Sequence, residues 1–201
     1  MTTPSLLLHI CCAPCFATAM ASLRVPSIPA GRMPDGIFFY NPNIHPLIEF
    51  RRRVKALQVY LERDPFPAEI DDTYGLQDFL AHIRPNGKPL ARRDRCRECY
   101  RMRLGKTARL AREKGYETFS STLLASREQD RDLVAEVGRE TGKQEHVEFV
   151  QADLRTVLPD KKALRGIYRQ QYCGCIFSEE ERFGNTNKHL YHPDARSGNT
   201  D

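Results

Sequence analysis

The chain has 201 residues, of which 40% are hydrophobic and 28% charged, with a net charge of +5. That length suits one domain with a sizeable core better than two small ones, and the longest apolar run falls far short of the roughly 18 residues of a membrane span. No cationic, long apolar leader opens the sequence, which makes a cytoplasmic location the default expectation, and the odd count of seven cysteines suits metal or redox chemistry better than a disulfide scaffold.

In chain order, "SLLLHI" (5–10) reads as a buried strand that runs directly into Cys11, Cys12 and Cys15. Pro14 suits the first turn of a helix continuing through "FATAMASLR". "GIFFYNP" (36–42) is a second strand, stopped by Asn41-Pro42-Asn43. Residues 45–63 have the period of an amphipathic helix, with Ile48, Val54, Leu57 and Leu61 as its apolar positions. A short third strand in "FPAEIDD", a helix over 73–83 and a loop over 84–90 precede a long helix over 93–116 that ends near Gly115. Residues 117–126 give a strand and then a polar loop, and 126–143 a helix with Ser126 as N-cap and Gln129 three residues on. A last strand (147–153) and a short helix (160–172) deliver Cys173-Gly174-Cys175. Residues 1–183 read as one domain and 184–201 as a polar, disordered tail.

Strands alternating with helices predict an α/β fold, a single domain with a parallel sheet flanked by helices. Its functional crevice lies beyond the carboxyl ends of the strands. Cys11, Cys12 and Cys15 fall there, as do Asn41, Asn43 and Ser126. Cys96 and Cys99, three apart on a helix, present both sulfurs on one face to one metal centre. Zinc and an iron–sulfur cluster are both open at this point. Cys173 and Cys175 suit either an easily reduced disulfide or two ligands of one metal. Arg51, Arg52 and Arg53 read as a solvated helix face that also steers a polyanion. His9 reads as a satisfied core histidine, Asn41 and Asn43 as turn formers or substrate contacts, and His45 as a candidate for proton transfer. A structural-zinc RNA-binding module and a thiol–disulfide oxidoreductase are the two rival functions these residues allow.

Taken together, "LLLHICCAPC", "FFYNPNIHPLIEFRRR", "RCRECYRMRLGKTARLAREKGYETFSSTLLAS" and "GIYRQQYCGCIFS" resemble the epoxyqueuosine reductase family QueH over about residues 5 to 182. The resemblance implies a fold like that of the adenine nucleotide α-hydrolases (the HUP, PP-loop-type class). It also implies the last step of queuosine biosynthesis, loss of the epoxide oxygen of epoxyqueuosine at the wobble position of a GUN-type tRNA anticodon. Implied with it are an external electron donor, no cobalamin, and a 4Fe–4S cluster held by Cys11, Cys12, Cys96 and Cys99. Cys173 and Cys175 are then a redox-active pair, or hold one additional mononuclear iron with Cys15. Some members carry aspartate where this chain has Cys15, so a softer sulfur replaces an oxygen ligand here. Forming the alkene takes two electrons and two protons and releases water. Either an iron acting as Lewis acid on the epoxide oxygen or the Cys173–Cys175 dithiol as two-electron donor meets that requirement. Tyr168, Arg169, Gln170 and Tyr172 are the expected tRNA contacts beside Asn41 and Asn43, the arginine on phosphate and the tyrosines on an extruded base. The alternative is that these tyrosines pack the last helix and Arg169 is a plain surface charge.

Overall fold

Short apolar runs that cannot bury themselves alone line up side by side as five parallel strands in the computed structural model, which describes residues 5–24, 33–159 and 161–184. The strands are β1 (Leu6–Ile10), β2 (Gly36–Phe39), β3 (Ala68–Ile70), β4 (Thr118–Ser121) and β5 (Glu148–Phe149), in the order β3-β2-β1-β4-β5. Every residue of the central strand β1 is buried, as its unbroken apolar run requires. Leu8 sits opposite Ile37 on one side and Ser120 on the other. Six α-helices are described: α1 (Ala13–Leu23), α2 (Leu47–Arg63), α3 (Leu76–Ile83), α4 (Arg92–Lys114), α5 (Arg131–Glu145) and α6 (Ile176–Phe183). Helix α1 packs against α2 and α4 against α5, sealing one core built on Leu8, Ile10, Phe16, Phe39, Leu104 and Phe119. The fit is close at Gly138 of α5, where a Cβ would lie 2.6 Å from the Phe149 ring of β5.

Chain order reverses at β1, which pairs with β2 on one side and β4 on the other. In a parallel sheet that reversal opens a crevice at the carboxyl ends of the two strands. Here it lies between Cys11, after β1, and the 3-10 turn Thr122–Ala125, after β4.

Several elements depart from expectation for local reasons. Asp130, not Ser126, caps α5, its carboxylate accepting the Leu133 N–H at 3.1 Å, while Ser126 Oγ accepts the Glu128 N–H. Strand β5 is only two residues long. Ile48 is 56% exposed, so it lies off the buried stripe of α2. The helix expected over 160–172 is a run of turns, broken by Gly166 at φ 72°. Its polar groups reach outward to α1 and α2 instead, and a helix, α6, forms only after Cys175. The tail lies outside the described residues apart from Gly184. Among those residues no helix is long and apolar enough to cross a membrane.

Candidate metal centre

The chain leaves β1 at Cys11, whose N–H donates to Thr122 Oγ1 at 2.9 Å, tying the end of β1 to the turn after β4. That hydroxyl lies 3.3 Å from Cys11 Sγ and donates to it. Cys12 stays extended and caps α1, its Sγ accepting the Cys15 N–H at 3.4 Å. Pro14 in the first turn has no N–H to leave unpaired there. A bend, a cap and one helical turn thus bring three sulfurs together: Sγ of Cys11, Cys12 and Cys15 all lie within 4.8 Å of one another. A fourth group approaches from far along the chain, as Gln170 Nε2 donates to Cys12 Sγ at 2.8 Å.

The three thiols bear on one another through their hydrogen bonds. Hydrogen bonds from Cys12 and Cys15 hold Cys11 well below the ordinary thiol range. Burial pushes Cys12 up to about 12, and the hydrogen bond to Cys11 drives Cys15 well above its usual value. A cation arriving here displaces the remaining protons, which is how thiolate sites load metal. The donor set, three crowded sulfurs at a helix N-terminus, fits such an ion.

Cys96 and Cys99 lie one turn apart in α4, and Cys173 and Cys175 flank Gly174; all four line a single hollow with Asn43, Phe79, Tyr100 and Arg103. Gly174 has φ 109°, and a Cβ there would lie 2.9 Å from Arg53 Nη1 and 3.0 Å from Ile44 Cγ1, so no other residue fits. The segment is clamped to the start of α2. Arg53 donates to the carbonyls of Tyr172 (3.0 Å) and Cys173 (2.9 Å), the His45 N–H donates to the Gly174 carbonyl (2.7 Å), and Tyr172 OH donates to the His45 carbonyl (2.6 Å). Glu49 completes the clamp, pairing with Arg53 at 2.7 Å and accepting from Tyr168 OH at 2.6 Å. Burial raises Cys99 to about 12, Cys175 to about 11, and Cys96 upward. All four cysteines thus border one hollow, although among the described residues only Cys11, Cys12 and Cys15 bring three ligand atoms within 4.8 Å of one another.

Arg103 stands between the two sulfur groups. It is 2% exposed, with Nη1 3.8 Å from Cys99 Sγ and Nη2 donating to Asn41 Oδ1 at 2.8 Å, and its charge acts on Cys11 as well as Cys99. No carboxylate pairs with it among the described residues, and its Nε has no hydrogen-bond partner. A buried guanidinium without a carboxylate is costly unless another anion faces it.

The sequence reading missed Arg103, Thr122 and Glu49, and it put Arg53 on a solvated face. Only Arg51 and Arg52 are exposed; the third arginine is 2% exposed and holds the cysteine segment. An i,i+4 glutamate before Arg53 was the available signal. Asn41 is a tie, its Nδ2 donating to the Ile10 carbonyl at 2.9 Å. Asn43 is buried against the hollow with neither end of its amide bonded. His9 is the satisfied core histidine expected, bonded to Ser121 Oγ and the Tyr40 carbonyl, and burial lowers its pKa to about 3. The His45 ring packs between Tyr74 and Phe79 with both nitrogens unbonded, and burial, opposed by the nearby Pro42 carbonyl, lowers it to about 4. Tyr172 is buried, Tyr168 half-buried and Arg169 exposed.

A family model described as "Epoxyqueuosine reductase QueH" matches residues 6–181. A curated relative from Dehalococcoides mccartyi, named "Epoxyqueuosine reductase QueH", is 37% identical over 191 residues, covering 92% of this chain and 97% of its own. One of the same name from Thermotoga maritima is 30% identical over 185 residues, covering 89% of this chain and 92% of its own.

Proposed function

The chain belongs to the epoxyqueuosine reductase QueH family, and from that premise we propose that it removes the epoxide oxygen of epoxyqueuosine in a tRNA anticodon, drawing electrons from an external donor without cobalamin. Cys96, Cys99, Cys173 and Cys175 would hold a 4Fe–4S cluster, and Cys11, Cys12 and Cys15 a single further iron. This division differs from the one implied by the resemblance, which put the cluster on Cys11, Cys12, Cys96 and Cys99. The observation that carries it is the grouping of the sulfurs themselves, three within 4.8 Å at the head of α1 and four around one hollow. Bound there, the cluster supplies electrons singly and the lone iron a Lewis-acidic site.

The protein's own groups hold this arrangement in place. Gln170 and Thr122 donate to Cys12 and Cys11 and keep both sulfurs aimed at one point. Arg53 and Glu49 fix the 172–174 backbone, so Cys173 and Cys175 keep their places if a bound metal is exchanged. Outer-shell contacts of this kind tune affinity by about 10–100-fold. Replacing Gln170 by leucine is expected to loosen metal at the Cys12 site by about tenfold in a chelator competition. Unchanged affinity would remove Gln170 from the site. The alternative of a lone redox pair at Cys173–Cys175 predicts full turnover without iron.

Anaerobically reconstituted protein should carry about five irons per chain and convert epoxyqueuosine to queuosine in tRNA, read by nucleoside mass spectrometry. Colourless protein with full turnover would overturn the reading.

A further inference from the structure

Ion pairing is uneven over the surface. On α4 every cation except the buried Arg103 has a carboxylate in reach: Arg95 pairs with Glu181, Arg97 with Glu136 and Glu140, and Arg109 and Arg112 both with Glu145, among others. Such pairs cancel most of the field beyond a Debye length. The α4 arginines, which the sequence makes the most conspicuous basic run, are therefore a neutralised surface.

Helix α2 is different. Arg51, Arg52 and Lys55 are exposed, and none has a carboxylate partner among the described residues. The turns beside them add Lys161, Arg165 and Arg169, exposed and likewise without a carboxylate partner among the described residues, and residues 161–169 contain no acid. Glu62 is the only exposed acid on α2, because Glu49 is buried on Arg53. The two segments form one surface. Arg51, Arg52 and Lys55 line a shallow hollow of about 390 Å³ with Gly166, Ile167 and Tyr168. The Arg52 guanidinium lies 5.9 Å from the Tyr168 ring centre, and Arg63 donates to the Arg165 carbonyl at 2.7 Å.

We propose that this face, α2 from Arg51 onward together with the 161–169 turns, binds the phosphate backbone of the tRNA beside its anticodon. The proposal rests on the function given above and adds where the RNA is gripped. Four of the six unpaired cations are arginines, whose planar forks match phosphate oxygens better than an ammonium does. From Arg51 to Arg63 the helix runs about 18 Å, enough to follow several phosphates. The same segment that supplies Arg165 and Arg169 continues into Cys173 and Cys175, so backbone contacts at one end set the position of a base at the sulfur end.

The test is binding, not turnover. Fluorescence anisotropy of an unmodified tRNA transcript is followed against iron-loaded full-length protein at several salt concentrations. The variants are Arg51→Gln/Lys55→Gln and, with an equal charge change, Arg109→Gln/Arg112→Gln. The α2 pair is expected to weaken binding about tenfold and to flatten the dependence of log affinity on log salt by about 1.5, while the α4 pair stays within about twofold. Equal weakening by both pairs, or wild-type binding in the α2 pair, overturns the docking face while leaving the reductase assignment standing. A wild-type protein that neither binds nor converts tRNA overturns both.

Discussion

Cys99→Ala is expected to cut bound iron from about five per chain to about one, whereas Cys12→Ala loses about one and keeps about four. Both should lower conversion of epoxyqueuosine by more than about a hundredfold, since even outer-shell changes at metal sites cost 10–100-fold. The two iron counts separate the divisions of the seven sulfurs. In the structure Cys99 shares its hollow with Cys96, Cys173 and Cys175, while Cys12 lies with Cys11 and Cys15 at the head of α1. Cys175→Ala should therefore behave like Cys99→Ala, and Cys15→Ala like Cys12→Ala. If Cys12→Ala instead strips the cluster irons while Cys175→Ala keeps them, the cluster belongs to Cys11, Cys12, Cys96 and Cys99 and the division proposed here is lost. Iron analysis with Mössbauer spectra of each variant makes the measurement.

Arg103→Met should have effects of opposite sign in the loaded and the metal-free protein. Loaded, the two thiolate sites carry net negative charge on both sides of the guanidinium, and removing it leaves buried anions uncompensated. That loss is expected to destabilise the loaded protein by about 3–5 kcal/mol and to lower the cluster's reduction potential. Metal-free, burial holds Cys99 at about 12 and Cys175 at about 11, both neutral near pH 7, which leaves Cys11, held low, as the one sulfur that still opposes the guanidinium. The buried cation is then a burden, and a methionine of similar length relieves it, less the donor lost to Asn41 Oδ1. Thermal unfolding with and without iron reads both signs, and Arg103→Lys should restore part of the potential. A variant equally destabilised in both states would make Arg103 a packing residue.

Much of the architecture was legible because it follows from local chemistry. The apolar run 6–10, the aromatic run after Gly36, the long helix through Cys96 and Cys99, and the Pro14 start of α1 all depend on neighbours within one or two turns. The positions of the cysteine groups were legible too, as was the satisfied His9, whereas the groups that bond the sulfurs, Thr122, Gln170 and Arg103, were not. The 160–172 segment was not. Its composition suits a helix, but Gly166 breaks it, and Tyr168, Gln170 and Tyr172 spend their polar groups on Glu49, Cys12 and the His45 carbonyl. Tertiary hydrogen bonds there replace the helical ones.

By itself the sequence determined the fold class, the family and the presence of three groups of sulfurs, because strand and helix periods and residue spacing are short-range properties of the chain. Only the tertiary structure decided which sulfurs meet and which arginines are free. Spacing along the chain cannot tell that Cys175 returns to Cys99, that Gln170 reaches Cys12, or that nine α4 cations find carboxylates while Arg51, Arg52 and Lys55 of α2 find none among the described residues. Those outcomes depend on Coulomb and hydrogen-bond contacts between residues up to 158 positions apart, which exist only after the sheet has closed and brought the ends of its strands to one edge.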